Sequence, residues 1–278
     1  MTAAHSTPQT PQTPHRRVRQ TPLVRGSVGF HIGAGIVTMA VPQLWPWTLG
    51  AIAVNHGLLA FGGLWPRSRW YGSNWVRLPA EAAARRAISL TFDDGPDPAV
   101  TPRVLDMLDQ AGVKATFFCI GTRVLEHAAL AREIVQRGHA LENHSHRHVH
   151  TFSLSGPRAM RREIVGGQQI ISDVTGTEPR CFRAPAGLRN PFLDPLLQQL
   201  DLQLVSWTRR GFDTRERDPA RVAARLLDGL AARDILLLHD GHAARTQSGQ
   251  PVVLDVLPGL LDAVRRAQLE PLLLRELL

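Results

Sequence analysis

The chain has 278 residues, 44% of them hydrophobic and 20% charged, with two cysteines and a formal net charge of +8. That length suits one large domain plus an appendage, and two cysteines exclude a disulfide framework. The charge excess is local: residues 1–86 hold nine Arg against one acidic residue, Glu81, leaving 23 basic and 23 acidic residues in 87–278. A neutral body argues against a basic groove for nucleic acid.

Residues 1–25 read as a disordered arm, because TPQTPQTP is Pro-rich, repetitive and has no apolar face to bury. The next 41 residues, 26–66, contain no Lys, Arg, Asp or Glu. A membrane span needs about 20 apolar residues, so this run is expected to form two short spans near 28–44 and 47–65. Pro42, Trp45, Pro46 and Trp47 mark the turn, and Trp45, Trp47, Trp65 and Trp70 suit an interfacial belt. His31 and His56 are expected near the ends of the spans or between them. A signal peptide is not expected, since its apolar region is about 7–15 residues and starts near the N-terminus. Arg16, Arg17, Arg19 and Arg25 precede the run, and Arg67, Arg69, Arg77, Arg85 and Arg86 follow it. Positive charge on both flanks favours a hairpin with both ends in the cytoplasm, hence an inner-membrane protein with a cytoplasmic body. A single tilted span that places the body outside is the alternative. Residues 67–86 read as a basic linker.

From Ala87 onward short apolar runs alternate with amphipathic segments of helical length. Strands are expected at 87–92, 115–120, 139–143, 180–184, 203–207, 235–239 and 271–274. Helices are expected at 99–111, 123–137, 157–175, 191–200, 219–232 and 252–267, with Gly112, Gly138 and Gly176 as stops. Repeated β-then-α units argue for a parallel sheet covered by helices. About seven units in this length fit a closed barrel better than an open sheet. The two cysteines, in TFFCIG and CFRAP, read as buried thiols.

The chemistry-bearing residues fall at one kind of place. Asp93 and Asp94 follow the first strand, His144 and His148 the third, and Asp213 the fifth; Arg183 sits at the fourth and His239 ends the sixth. In a parallel barrel, C-terminal strand ends share one rim, where active sites are assembled. The stretch Thr91-Phe92-Asp93-Asp94-Gly95-Pro96-Asp97 is also good turn chemistry. Two adjacent carboxylates aimed at one cavity, however, call for a cation. In His144-Ser145-His146-Arg147-His148-Val149-His150, both His144/His148 and His146/His150 have the spacing to grip one metal. With Asp94, two imidazoles and one carboxylate make a catalytic rather than a structural ligand set. Zn²⁺ is the first choice, with Co²⁺, Ni²⁺ and Fe²⁺ as alternatives.

Thr91-Phe92-Asp93-Asp94-Gly95, His144-Ser145-x-x-His148, Arg183-x-Pro185-x-Gly187 and Leu237-x-His239 occur in the order found in the polysaccharide deacetylase family. The chain over about 87–278 resembles that family, carbohydrate esterase family 4, which includes chitooligosaccharide deacetylases. The resemblance implies a distorted parallel (β/α) barrel and metal-dependent removal of an N-acyl group from an amino sugar. It selects His144 and His148, with Asp94, as metal ligands. It makes Asp93 the general base, Arg183 the cation that orients it, and His239 the general acid. Asp213 would stand behind Arg183 or His239. The main-chain N–H near Ala186 would complete the oxyanion site; Leu237 would border the acyl pocket and Trp207 would wall it. The implied substrate is an amino-sugar glycan or a lipid-linked sugar. Two departures stand out: Ala186 occupies a position where many relatives carry an aromatic residue, and Arg210-Gly211-Phe212-Asp213-Thr214 replaces the usual Asp-x-x-Asp-Trp.

Overall fold

A computed structural model describes residues 18–278, so most of the expected arm lies outside the described residues. The first helix, α1 (Pro22–Ala40), starts inside the stretch assigned to that arm, with Pro22 in its first turn. A turn at Pro42–Leu44 leads into α2 (Trp45–Leu64). Both helices are long and apolar enough to cross a membrane. Their outer faces expose Val28, Ile32, Met39, Leu49, Val54 and Leu58. Their polar side chains meet in a seam: Ser27 Oγ donates to Asn55 Oδ1 at 2.7 Å, and the Thr38 and Thr48 hydroxyls bond at 2.8 Å.

His31 and His56 belong to this seam, between the two spans and away from their ends. Their rings lie 5.0 Å apart. Each Nδ1 bonds a carbonyl one turn back, Ser27 O at 2.7 Å and Ile52 O at 3.0 Å. His31 Nε2 is buried without a hydrogen-bond partner, while His56 stays exposed.

The body is built on eight strands: β1 (Ala87–Asp93), β2 (Thr116–Cys119), β3 (Ala140–Asn143), β4 (Cys181–Phe182), β5 (Gln203–Leu204), β6 (Arg209–Arg210), β7 (Ile235–His239) and β8 (Glu270–Pro271). All pairings are parallel, in the order β5-β4-β3-β2-β1-β7-β6, with β8 beside the start of β1. β5 and β6 are the two ends of one stretch. Val205 N donates to Phe182 O of β4 and Thr208 N to Ile235 O of β7, both at 2.9 Å. Residues 203–210 therefore bridge the two edges of the sheet into a distorted barrel.

Helices α3 (Thr101–Gln110), α4 (Gly121–Glu126), α5 (Ala128–Gln136), α6 (Pro157–Thr175), α7 (Leu193–Gln199), α8 (Pro219–Leu227) and α9 (Val252–Arg266) cover the barrel. The helix expected over 123–137 breaks at His127, whose φ −117° and ψ 47° are not helical. The final strand is shorter than expected and gives way to a 3₁₀ turn at Leu274–Leu277. Every residue of β1 and β7 is buried, as a parallel strand covered on both faces requires. Cys119 and Cys181 are buried free thiols.

The segment read as a basic linker is part of the barrel wall. Tyr71 and Leu78 are buried, Trp75 bridges in parallel to Val205, and Arg77 pairs with Asp234 at 3.2 Å. The foot of α2 is fixed to the same wall. Gly63 O accepts from Arg189 N at 3.1 Å, and Pro66 O accepts from Ser206 Oγ at 2.7 Å. A Cβ on Gly63 would lie 2.2 Å from Arg189 O, so the backbones meet there directly.

Candidate active site

Strand register builds the rim. Asp93 ends β1 directly opposite His239 at the end of β7. His144 follows β3, with its N–H bonded to Cys119 O of β2 at 3.0 Å. Arg183 follows β4. The Asp93–Asp97 turn is locked from beneath: Asp97 N donates to Thr101 Oγ1 at 2.7 Å, which donates to buried Asp240 Oδ2 at 2.6 Å. Gly95 is required here, because a Cβ would sit 2.1 Å from Asp240 Oδ2. Turn chemistry and converging carboxylates thus coexist in one segment.

Several non-glycine residues around the cavity take positive φ: Asp94 (71°), Ser145 (67°), His148 (52°), Ala186 (54°), Phe212 (60°) and His242 (57°). Each such residue costs on the order of 1–3 kcal/mol and persists only where the surroundings over-determine it, typically at functional sites.

Asp94, His144 and His148 offer ligand atoms that all lie within 4.8 Å of one another. Asp94 Oδ1 is 3.3 Å from His144 Nε2 and 3.4 Å from His148 Nε2, yet it is buried with no hydrogen-bond partner. His144 Nδ1 donates to Arg183 O at 2.8 Å, which leaves Nε2 with its lone pair facing the cluster. Burial, then His144, pulls the His148 pKa down to about 4, so this imidazole is neutral as a ligand must be. For Asp94, burial favours the neutral acid, but His144 and His242 outweigh it and hold the carboxyl far below its ordinary range. For His144, burial opposes the charged form, but Asp93 and Asp94 raise its pKa. Both shifts express the demand of two carboxylates for a cation. An orphaned buried oxygen facing two imidazole nitrogens fits a divalent metal ion.

Asp93 and His239 are held differently, each with one side-chain atom fixed by a buried partner and the other without a hydrogen bond. Arg183 is fully buried and donates from Nη1 to Asp93 Oδ1 at 2.6 Å and Thr91 Oγ1 at 2.9 Å. Its Nε and Nη2 bond Val205 O and Ser206 O, and it stacks 4.1 Å from the Phe118 ring. Asp213 accepts from His239 Nδ1 at 2.8 Å and from His239 N at 2.7 Å. The position left open for Asp213 is therefore behind His239. Burial works against protonated His239, but Asp213, with Asp93 and Asp94, raises its pKa to about 9.

The two sets face one cavity of about 630 Å³, walled also by Ala186, Gly187, Trp207 and Leu237. The residues that the family resemblance selected meet here, Arg183 and Asp213 from behind. His146 points elsewhere, packing near Gly121 and Gly166.

Sequence reading missed His242 and Arg123. His242 Nδ1 lies 3.3 Å from Asp94 Oδ2, and Arg123 Nη2 donates to His242 Nε2 at 2.9 Å. Arg123 thereby sets the tautomer that lets His242 donate to the outer oxygen of Asp94. Both residues follow strand ends, and the rule that located the other site residues would have found them.

A parallel β/α barrel thus carries a carboxylate–imidazole cluster beside an Arg-paired carboxylate and an Asp-paired imidazole at one rim. A family model for polysaccharide deacetylases matches residues 80–205. A peptidoglycan-N-acetylglucosamine deacetylase of Bacillus cereus is 33% identical over 165 residues, covering 59% of this chain and 76% of that protein. The peptidoglycan-N-acetylglucosamine deacetylase of Listeria monocytogenes is 32% identical over 62% of this chain, which spans only 37% of that protein. Among solved structures, a family 4 carbohydrate esterase from Streptomyces lividans in complex with acetate superposes with a TM-score of 0.60. It is 28% identical, covering 66% of this chain and 91% of that one. The chain belongs to the polysaccharide deacetylase family, carbohydrate esterase family 4, and is a hydrolase of amide bonds. The family match ends at residue 205, so the placing of Asp213 and His239 rests on their geometry.

Proposed function

We propose that the protein is a metal-dependent N-deacylase that releases acetate or formate from an N-acylated amino sugar in a membrane-linked glycan precursor. The observation that carries this is the buried, unpartnered Asp94 Oδ1 between His144 Nε2 and His148 Nε2, opposite Asp93 and His239. When bound, the ion, Zn²⁺ by the ligand types, supplies Lewis acidity to the amide carbonyl and to the attacking water.

The rest is the work of the chain. Asp93 takes the water proton; Arg183, bonded to its other oxygen, keeps it aimed. His239, held by Asp213, gives a proton to the departing nitrogen, without which an amine is a poor leaving group. In this reading the main-chain N–H near Ala186, a residue of positive φ that lines the cavity, donates to the oxyanion. Leu237 and Trp207, both on the cavity wall, border the acyl group in this reading.

Positive charge on both sides of the hairpin favours a cytoplasmic body. On that side polymeric peptidoglycan is out of reach and a lipid-linked sugar is not. The names of the relatives favour a second reading, in which the same chemistry acts outside on an envelope polysaccharide. Alkaline phosphatase fused after Leu278 separates them: the first reading predicts an inactive fusion, and an active one would establish the second. For the chemistry, the full chain in detergent with Zn²⁺ or Co²⁺ is expected to release acetate or formate from an N-acyl hexosamine. Inactivity of metal-bound protein across a broad panel would contradict it.

A further inference from the structure

The body of the chain is neutral in total, but its charge is not evenly spread. Three arginines on the cavity wall face no carboxylate. Arg210 ends β6 beside Leu237 of β7. Its guanidinium lies 5.2 Å from the Trp207 ring and 5.0 Å from the Phe212 ring. Aromatic faces hold a cation in place without neutralising it. Among the described residues no ion pair reaches Arg210, and its Nε is buried without a partner. Arg215 stands on the same loop, with its N–H bonded to Phe212 O at 2.9 Å and its side chain exposed and unpaired. Arg123 bonds only His242 Nε2. By contrast, Arg147 at the same mouth is matched by Glu163 at 2.8 Å, and Arg137 and Arg275 elsewhere are matched by Asp106 and Glu142.

The carboxylates of the cavity cannot answer these cations. Asp93 is committed to Arg183 and Asp94 to the ligand cluster. A fixed guanidinium with a buried orphan donor calls for an anion, and arginine's planar fork suits phosphate and carboxylate oxygens.

Position points to the source of that anion. The foot of α2 is bonded to the barrel residues that flank this wall: Pro66 O to Ser206, Gly63 O to Arg189, and Arg67 Nη1 to Thr208 O at 3.4 Å. The apolar hairpin and the arginine wall are one piece. Exposed Trp65 and Trp70 mark the same end, as side chains suited to a membrane interface do. A ligand in reach of Arg210 is thus also in reach of a lipid surface, where phosphate is the abundant anion.

Given the deacylase reading above, we propose that Arg210, with Arg215, forms an anion subsite that reads a phosphate on the substrate. The substrate class is then a glycosyl phosphate carried on a membrane lipid, and not a neutral glycan.

The test uses the full-length protein in detergent with Zn²⁺ and compares N-acetylglucosamine 1-phosphate, N-acetylmuramic acid and neutral chitotriose. The phosphorylated sugar is expected to exceed the neutral one in kcat/KM by about 10- to 100-fold, through KM, as charge-assisted hydrogen bonds allow. That preference collapses toward parity in Arg210→Gln and is partly restored in Arg210→Lys, which keeps the charge without the fork. Equal use of the phosphorylated and neutral sugars by the wild type, or an unchanged preference in Arg210→Gln, overturns the subsite. A preference for N-acetylmuramic acid over the phosphate overturns the phosphate assignment in favour of a carboxylate. If no amide is cleaved at all, the deacylase reading fails, and calorimetry decides the subsite alone. N-acetylglucosamine 1-phosphate should bind Asp93→Asn protein about 10- to 100-fold more tightly than the Asp93→Asn/Arg210→Gln protein, and equal binding rejects the anion site.

Discussion

The two sides of the cavity are built on opposite rules. On one side Asp94, His144 and His148 converge with an oxygen left unpartnered. On the other, Asp93 and His239 are each fastened to a buried charged partner at 2.6–2.8 Å. A side that waits for a ligand must keep atoms free, whereas a side that moves protons must keep its groups aimed and in the right charge state. The proposed roles follow this difference: ligand-holding where an oxygen is left unpartnered, proton transfer where one atom of each group is anchored and the other is free.

The largest effect should come from the anchored side. Asp93→Asn removes the base, and kcat is expected to fall about 10²- to 10⁴-fold while bound metal, read by elemental analysis, stays at the wild-type level. Loss of the metal together with the activity would erase the distinction between the sides. Removing Asp93's charge also leaves Arg183 buried without its ion partner, and a broken buried pair costs about 3–5 kcal/mol, so the melting temperature should drop as well.

His242→Ala probes the ligand side from behind. It removes the donor to the outer oxygen of Asp94, and metal affinity, measured by competition with a chromogenic chelator, should weaken about 10- to 100-fold. At saturating metal kcat should change far less. A His242→Ala protein with wild-type metal affinity would show that Asp94 needs no second support.

Asp213→Asn tests the acid. The His239 pKa is raised above 6.5, to about 9. A general acid works while protonated, so activity holds below that value and is lost as pH rises through it. A divalent ion beside Asp94 offsets part of the carboxylate charge and draws the limb back toward neutrality. Asp213 is the largest charge raising the pKa, so Asp213→Asn should move the alkaline limb of the rate profile to lower pH by about one unit or more. An unmoved limb would detach Asp213 from the acid's titration.

Much of this was legible in the sequence, because strand ends are readable and a parallel barrel brings strand ends together. Asp93, Arg183 and His239 each close a short, mainly apolar run, and such runs in a buried parallel sheet are hard to mistake, whereas His144 follows the mixed strand Ala140–Asn143. What escaped depends on relations that no run encodes. His31 and His56 face each other because two helices pack, and nothing in either helix alone announces its partner. The break at His127 and the positive φ angles at the rim are imposed by tertiary structure. The neutral total for 87–278 concealed three unpaired arginines, since composition sums charge and does not place it.

The most direct test is anomalous diffraction from the Zn²⁺-loaded full-length protein. One strong peak is expected, bonded to Asp94 Oδ1, His144 Nε2 and His148 Nε2, with Asp93 still on Arg183 and not on the metal. A peak at His146 and His150, or no peak between Asp94 and the two imidazoles, would contradict the division of the cavity on which the proposed chemistry stands.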